Sequence, residues 1–290
     1  MRPDYTRSWM ASEAKNENLL YVTNVPQNSV TVYGLSNHKL VGTLTGINGP
    51  YGICSDTSGN VWVVGWGNDT LVEYAHAGTK PIRTLSVPNT DLYDCAVDPT
   101  TGNLAVTNWG ANNWYQGNVL VFSPGSTQPQ AYSAEGVWFY YGCSYDDKGD
   151  LFVDGWDAYL NGYVTLGELP KNGQALKKIW MIPTFQPPLI GDMKWDGKYV
   201  AVVDWESIAE YSVSGSYAHL KGYAPMTLHW PIGMFWIVTD RSGGKQVIAP
   251  DTAGKPYAVQ YWKYPAAGRP TATITDRLDS PFAVTTSLVK

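Results

Sequence analysis

Residues 50–64 read Pro50-Tyr51-Gly52-Ile53-Cys54-Ser55-Asp56 and, after Thr57-Ser58-Gly59, Asn60-Val61-Trp62-Val63-Val64. A turn with proline, an aromatic and glycine leads into a short apolar strand. An Asx and glycine turn then reverses the chain, and a β-branched strand returns, which is the grammar of a hairpin. The phrase recurs as Tyr93-Asp94-Cys95-Ala96-Val97-Asp98 before Asn103-Leu104-Ala105-Val106-Thr107, and as Tyr141-Gly142-Cys143-Ser144-Tyr145-Asp146 before Asp150-Leu151-Phe152-Val153-Asp154. A fourth copy is Gly191-Asp192-Met193-Lys194-Trp195-Asp196 before Tyr199-Val200-Ala201-Val202-Val203. Degenerate copies open at Pro231-Ile232-Gly233-Met234 and at Pro281-Phe282-Ala283-Val284, the last cut short after one strand.

Anchored on the residue before each inner strand (52, 94, 142, 192, 233 and 283), the units are spaced 42, 48, 50, 41 and 50 residues apart. Those are propeller-blade lengths. Third strands follow in register, such as Thr70–Tyr74, Asn118–Phe122 and the run from Ala258, with weaker outer strands at Pro81–Leu85 and 271–274. The sixth unit is completed only by residues 19–49. The expected fold is therefore all-β: a six-bladed β-propeller of four-stranded antiparallel blades over residues 19–290, closed by its N- and C-terminal segments. Residues 1–18 are expected to be a loosely attached tail.

Composition agrees. The 290 residues carry 20 Lys+Arg against 25 Asp+Glu, a formal charge of −5, and 16% charged residues against the roughly 25% usual for soluble domains, which argues against disorder and against a salt-bridged helical bundle. There is no basic footprint for nucleic acid, and no apolar run long enough for a membrane span. The start, Met1-Arg2-Pro3-Asp4-Tyr5, has no apolar signal core. Either the protein is cytoplasmic or an export segment has been trimmed; the expectation leans to an extracytoplasmic, secreted or periplasmic, monomer. Cys54, Cys95 and Cys143 are odd in number and form no C-x-x-C pair, so they are read as small buried hydrophobes, not as a disulfide framework or zinc site.

The tetrapeptide Tyr21-Val22-Thr23-Asn24 and the Pro-x-Gly…Asp…Gly-Asn-Val-Trp-Val pattern of residues 50–63 resemble YVTN-type and NHL propeller repeats over residues 19–290. More loosely, Trp195-Asp196-Gly197-Lys198-Tyr199 and Phe235-Trp236-Ile237-Val238, followed by Tyr261-Trp262-Lys263-Tyr264-Pro265-Ala266-Ala267-Gly268, resemble secreted bacterial propellers of unassigned function. The resemblance implies a fold and leaves the chemistry open.

Mechanism-bearing strings are mostly missing. There is no Gly-x-Ser-x-Gly elbow. The run from Ala249 to Lys255 lacks the first glycine and the final hydroxyl residue of a phosphate loop, and is read as a blade turn. His38, His76, His219 and His229 have no shared-metal spacing, and Asp146–Asp150 lacks the ligand pattern of a calcium loop. No metal ligand and no cofactor is assigned, although a divalent cation held across blades in the central channel would leave no local motif.

Two features recur at one place in the fold. Trp66, Trp109, Trp156 and Trp205 end four successive second strands, 43, 47 and 49 residues apart, and Tyr51, Tyr93, Tyr141 and Trp230 precede inner strands on the same face. They form either interblade wedges or an aromatic rim for a small molecule, glycan or peptide. Beside them Asn24, Asn108, Asp154, Asp204 and Asp251 close second strands, where capping of loop amides competes with ligand binding. Asp94 and Asp192 stand where other units have Gly52, Gly142 and Gly233, and are the candidate catalytic pair. Two blades apart, they are expected to meet only through a common water network or cation.

Three functions follow. The first is a ligand-binding propeller with an aromatic, acidic rim at the channel. The second is a metal-dependent hydrolase or lyase resembling gluconolactonase and regucalcin propellers, whose axial cation is held by Glu, Asn and Asp; here no Glu stands at any of the six inner-strand starts. The third is a protein-interaction scaffold. The rim is expected to make binding the main function.

Overall fold

The computed structural model describes residues 6–110, 116–159, 162–185, 191–205, 207–227, 233–240, 242–252 and 254–289. Among them the chain is all-β apart from two short 3-10 turns, with small antiparallel sheets in a propeller arrangement. Four inner-to-outer meanders follow the repeat: Pro50–Ser55 to Pro81–Ser86, Leu92–Val97 to Gln130–Tyr132, Val137–Tyr145 to Lys177–Ile182, and Met193–Trp195 to Tyr217–Pro225. A fifth runs from Trp236–Thr239 to Ala272–Ile274.

The closing sheet joins the two ends of the chain. Pro281–Ser287 pairs antiparallel with Leu19–Asn24, Val284 opposite Val22, followed outward by Ser29–Gly34 and Leu40–Thr45. Thr23 ties this sheet to the next: its hydroxyl donates to Tyr51 O (3.0 Å) and accepts from Ala283 N (2.9 Å). Thr107 repeats the device between Asp94 N and Tyr141 O, so the threonine of each Thr-Asn pair knits neighbouring inner strands at their closest approach. The asparagines cap the loops ahead of the inner strands, Asn24 accepting from Asp279 N and Asn108 from Asp91 N.

The turn reading also holds at atomic level. Asp56 Oδ1 accepts from Ser58 N and Asn60 N, and Asp146 Oδ1 from Lys148 N and Asp150 N. Gly59 and Gly149 follow with φ of +85° and +92°, a region open to glycine.

Three expectations are corrected. Instead of six separate sheets there are five among the described residues, because Trp180–Ile182 pairs in parallel with Tyr217–His219 and fuses two meanders into one eight-stranded sheet. Part of the expected tail is attached: Trp9–Met10 adds a fifth strand to the closing sheet against Thr43 and Gly42, and Ala14 is buried. Lastly, Cys54 and Cys95 form a disulfide between adjacent sheets, with Cα atoms 5.6 Å apart.

Register explains the disulfide. Cys54 lies opposite Trp62 and Cys95 opposite Val106, one step apart in the repeat, so their side chains leave opposite faces of their own sheets and meet between them. The bridge closes a loop of 41 residues, worth about 4 kcal/mol in the chain-entropy account. Cys143 shares the register of Cys95 and points back at Ala105 O as Cys95 does at Trp62 O. Ala96, the counterpart of Cys54, packs against the apolar cluster that contains Cys143.

Two outcomes follow. Ala96→Cys should form a second interblade disulfide with Cys143, seen as the loss of two hydrogens in the intact mass and of the remaining thiol. Deleting residues 284–290 should lower the melting temperature sharply, since burying Val284 alone is worth about 1.5–3 kcal/mol and most of the inner strand Pro281–Ser287 is lost with it; an unchanged melting curve would refute this closure.

Candidate functional site

Along each inner strand the residues pass through three levels of the central channel. Tyr51, Tyr93, Tyr141 and Phe282 form the first, Gly52, Asp94, Gly142, Asp192 and Ala283 the second, and Ser55, Val97, Tyr145, Trp195 and Thr286 the far end.

The first level is a plug. Tyr93 sits among Tyr51, Tyr141 and Phe282 at ring-centroid distances of 5.6, 5.3 and 6.0 Å, and Tyr51 lies 4.2 Å from Phe282. Burial pushes the phenols of Tyr93, Tyr141 and Tyr51 above their ordinary range. The tryptophans extend this network outward. Trp66 stacks on Tyr51 at 5.3 Å, Trp156 lies 6.0 Å from Tyr141, and Phe139 fills the space between Trp156 and Trp109. Trp109 and Trp156 are half-buried against the core, whereas Trp66 and Trp205 are 42% exposed. Trp230 and His229 lie outside the described residues. Asp204 is half-buried on this face, its carboxyl raised by desolvation, and Asp251 accepts from Gly254 N.

The second level holds charge. Asp94 and Asp192 are 1% and 0% exposed. They do share a cation, and it is the chain's own: Lys194 Nζ lies 2.9 Å from Asp94 Oδ2 and 2.8 Å from Asp192 Oδ1. The same carboxylates clamp backbone, Asp94 Oδ2 accepting from Cys143 N and Asp192 Oδ2 from Phe235 N, so each reaches the inner strand of the following meander. The glycines make the room. A Cβ on Gly52 would stand 2.9 Å from Asp94 Oδ1, and one on Gly142 2.7 Å from Asp192 Oδ1, so alternation of glycine with aspartate is a packing solution.

Asp154 adds a third buried carboxyl group, which accepts from Gly142 N. One ammonium faces three carboxyls. Burial raises Asp154 well above the carboxylate range, with Asp192 adding to the shift. Asp192 is pushed up to about 7, burial leading and Lys194 pulling the other way. Burial alone would lower Lys194, but Asp192 and Asp94 outweigh it and hold the ammonium above its ordinary range. Cys143, buried beside this group, is likewise raised, so its thiol stays protonated and unreactive.

Lys194 is the residue that sequence reasoning missed. The period of two in a strand puts it on the same face as Asp192, two residues earlier, and that alternation was the available signal.

The far end is open. A cavity of about 440 Å³ is lined by Ser55, Ser144, Tyr145, Trp195, Trp236 and Thr286 among others, with Lys194 contributing to its wall. It lies at the mouth opposite the tryptophan face. Trp195 Nε1 donates to Asp147 Oδ2 at 3.1 Å, and both oxygens of Asp56 are taken by the backbone and side chain of its own turn. Among the described residues no group of three or more His, Cys, Asp or Glu side chains is arranged to hold a metal, and no helix is long and apolar enough to cross a membrane.

The comparisons place the fold. The chain superposes on a chain of the nidogen/laminin complex with a TM-score of 0.72, at 10% identity, over 93% of this chain and 98% of the other. A protein of unknown function from Bacteroides caccae matches at 0.65, 9% identity, 94% and 100% coverage, and a functionally unknown protein from Desulfotomaculum acetoxidans at 0.61, 12%, 94% and 100%. At such identities these likenesses carry the β-propeller fold alone. No family model and no curated protein matches the sequence.

The charge level yields a pH test. A carboxyl group whose native pKa lies above its unfolded value binds more protons in the native state, so stability falls as pH rises from the unfolded pKa through the native one. For Asp154 each pH unit in that window costs about 1.4 kcal/mol. Asp154→Asn, which can still accept from Gly142 N, should therefore match the parent near pH 4 and exceed its melting temperature by several degrees at pH 8. Equal melting temperatures across that range would show that Asp154 does not hold the proton.

Proposed function

We propose that this chain is an extracytoplasmic ligand-binding β-propeller whose six meanders surround one channel, the eight-stranded sheet counting as two blades, and that the ligand sits in the cavity at the open mouth. The observation that carries this reading is convergence: the cavity of about 440 Å³ is walled by residues from all six inner strands, Ser55, Val97, Tyr145, Trp195, Ile237 and Thr286 among them. Its size suits a small molecule, and its wall combines aromatic faces with a few hydroxyls, the usual make-up of a recognition site. The Cys54–Cys95 disulfide supports a location outside the reducing cytoplasm.

Binding is favoured over metal-dependent hydrolysis because Asp94 and Asp192, the acids at the inner-strand starts, already serve Lys194 and the amides of neighbouring strands. A second reading keeps the tryptophan face as a contact surface for a glycan or peptide, and rests on the exposure of Trp66, which stacks on Tyr51 of the aromatic plug, and of Trp205.

Thr57 is exposed at the cavity mouth, on the turn after the first inner strand. Thr57→Trp should leave folding within about 0.5 kcal/mol of the parent, as for other surface changes, while abolishing the thermal stabilisation produced by any hit from a small-metabolite screen. Hits that stabilise parent and variant equally would move the site elsewhere.

A further inference from the structure

The wall of the cavity is specific enough to select among ligand chemistries. Three charged residues line it, Asp56, Asp147 and Lys194. Each is already engaged. Asp56 is consumed by its turn and Asp147 accepts the Trp195 indole N–H. An ammonium has three N–H donors. Two of those on Lys194 go to Asp94 and Asp192, which leaves one on a nitrogen whose side chain reaches the cavity wall.

That remaining donor is unusual. Locally it is a strong, charge-assisted hydrogen-bond donor. Taken together, however, Lys194, Asp94 and Asp192 carry no positive excess, and a negatively charged ligand would meet the paired carboxylates just behind the ammonium and Asp147 at the mouth. A cationic ligand would meet the ammonium itself. A neutral oxygen suffers neither repulsion. The same cavity wall carries Ser55, Ser144 and Thr286 and the aromatic side chains of Trp195 and Trp236, a set that matches a ring with hydroxyls on its edge and C–H groups on its face.

Building on the cavity reading above, we infer that the ligand is a neutral polyhydroxylated ring, a saccharide without acid or amine, oriented by one hydroxyl or ring oxygen accepting the third N–H of Lys194. The device explains how a buried lysine can recognise an uncharged ligand: Asp94 and Asp192 neutralise it and aim it at once.

The test uses the intact chain and probes matched in shape. N-acetylglucosamine and glucose are neutral, glucosamine is the cation and glucuronate the anion; galactose and galacturonate repeat the comparison with one hydroxyl inverted. Tryptophan fluorescence and saturation-transfer NMR measure binding. The expected result is binding of at least one neutral sugar, with its charged counterparts at least about tenfold weaker, abolished by Thr57→Trp. Two variants locate the contact. Asp94→Asn with Lys194→Met and Asp192→Asn removes the donor without leaving a charge unpaired, and should weaken binding about tenfold with the circular dichroism spectrum kept. Should that triple variant fail to fold, Trp236→Ala, at a half-buried site, must show a comparable loss.

Tighter binding of glucuronate or glucosamine, still blocked by Thr57→Trp, overturns the inference and leaves the cavity as the site. Neutral binding that survives Thr57→Trp overturns both. Absence of binding by every probe overturns the inference, and the metabolite screen then decides the cavity reading separately.

Discussion

The buried ammonium of Lys194 between Asp94 and Asp192 constrains everything around it. Two carboxylates and an amine cannot leave water unless each retains its partners, and losing one partner of such a group costs about 3–5 kcal/mol. The second and fourth inner strands must therefore converge on a single nitrogen at 2.9 and 2.8 Å, across the third. The carboxylates extend the constraint by holding Cys143 N and Phe235 N, so one charge cluster fixes the relative positions of four inner strands. Its own stabilising worth is modest, because desolvation offsets the attraction; what it supplies is register.

Around the ring other joints are hydrogen-bonded or covalent. Thr23 and the bridge between Met234 and Ala283 join the closing sheet to its two neighbours, and the Cys54–Cys95 disulfide locks the first two meanders. The covalent joint adjoins the charge cluster, because Cys95 directly follows Asp94 on the second inner strand. Where two inner strands bring acids to the axis, as Asp94 and Asp192 do, a counter-charge is required as well.

Much of the strand order was legible from the chain, because a turn of Asp, Gly and Asn before a β-branched run fixes a hairpin locally. Thr70–Tyr74, Asn118–Phe122 and Pro81–Ser86 lie where the repeat puts them, and the pairing of the C-terminal strand with Leu19–Asn24 follows from blade length. What was illegible depends on contacts between units. The fusion through Trp180–Ile182 and Tyr217–His219 is set by how two outer edges meet, and no local pattern encodes it. The disulfide hid behind a count of three cysteines, since parity says nothing about a one-step register offset between neighbouring strands. Lys194 hid because a lone lysine usually marks a solvated face.

The candidate site moved for a related reason. Aromatic residues are the conspicuous signal in this sequence, and they do cluster, but rings at the narrow starts of converging strands satisfy one another: Tyr93, Tyr141 and Phe282 fill the axis and close that mouth. Recognition needs unfilled space, and space is left where side chains on the inner strands are small or point away, as Ser55, Ala96 and Ser144 do at the other end. The channel is thereby divided into a half sealed by aromatic rings and an open half, and Lys194 is the only charged donor among the residues lining the cavity of the open half. On the proposed reading one side chain serves both structure and recognition, and the polarity of the ligand is tied to the same charge balance that holds the inner strands in register.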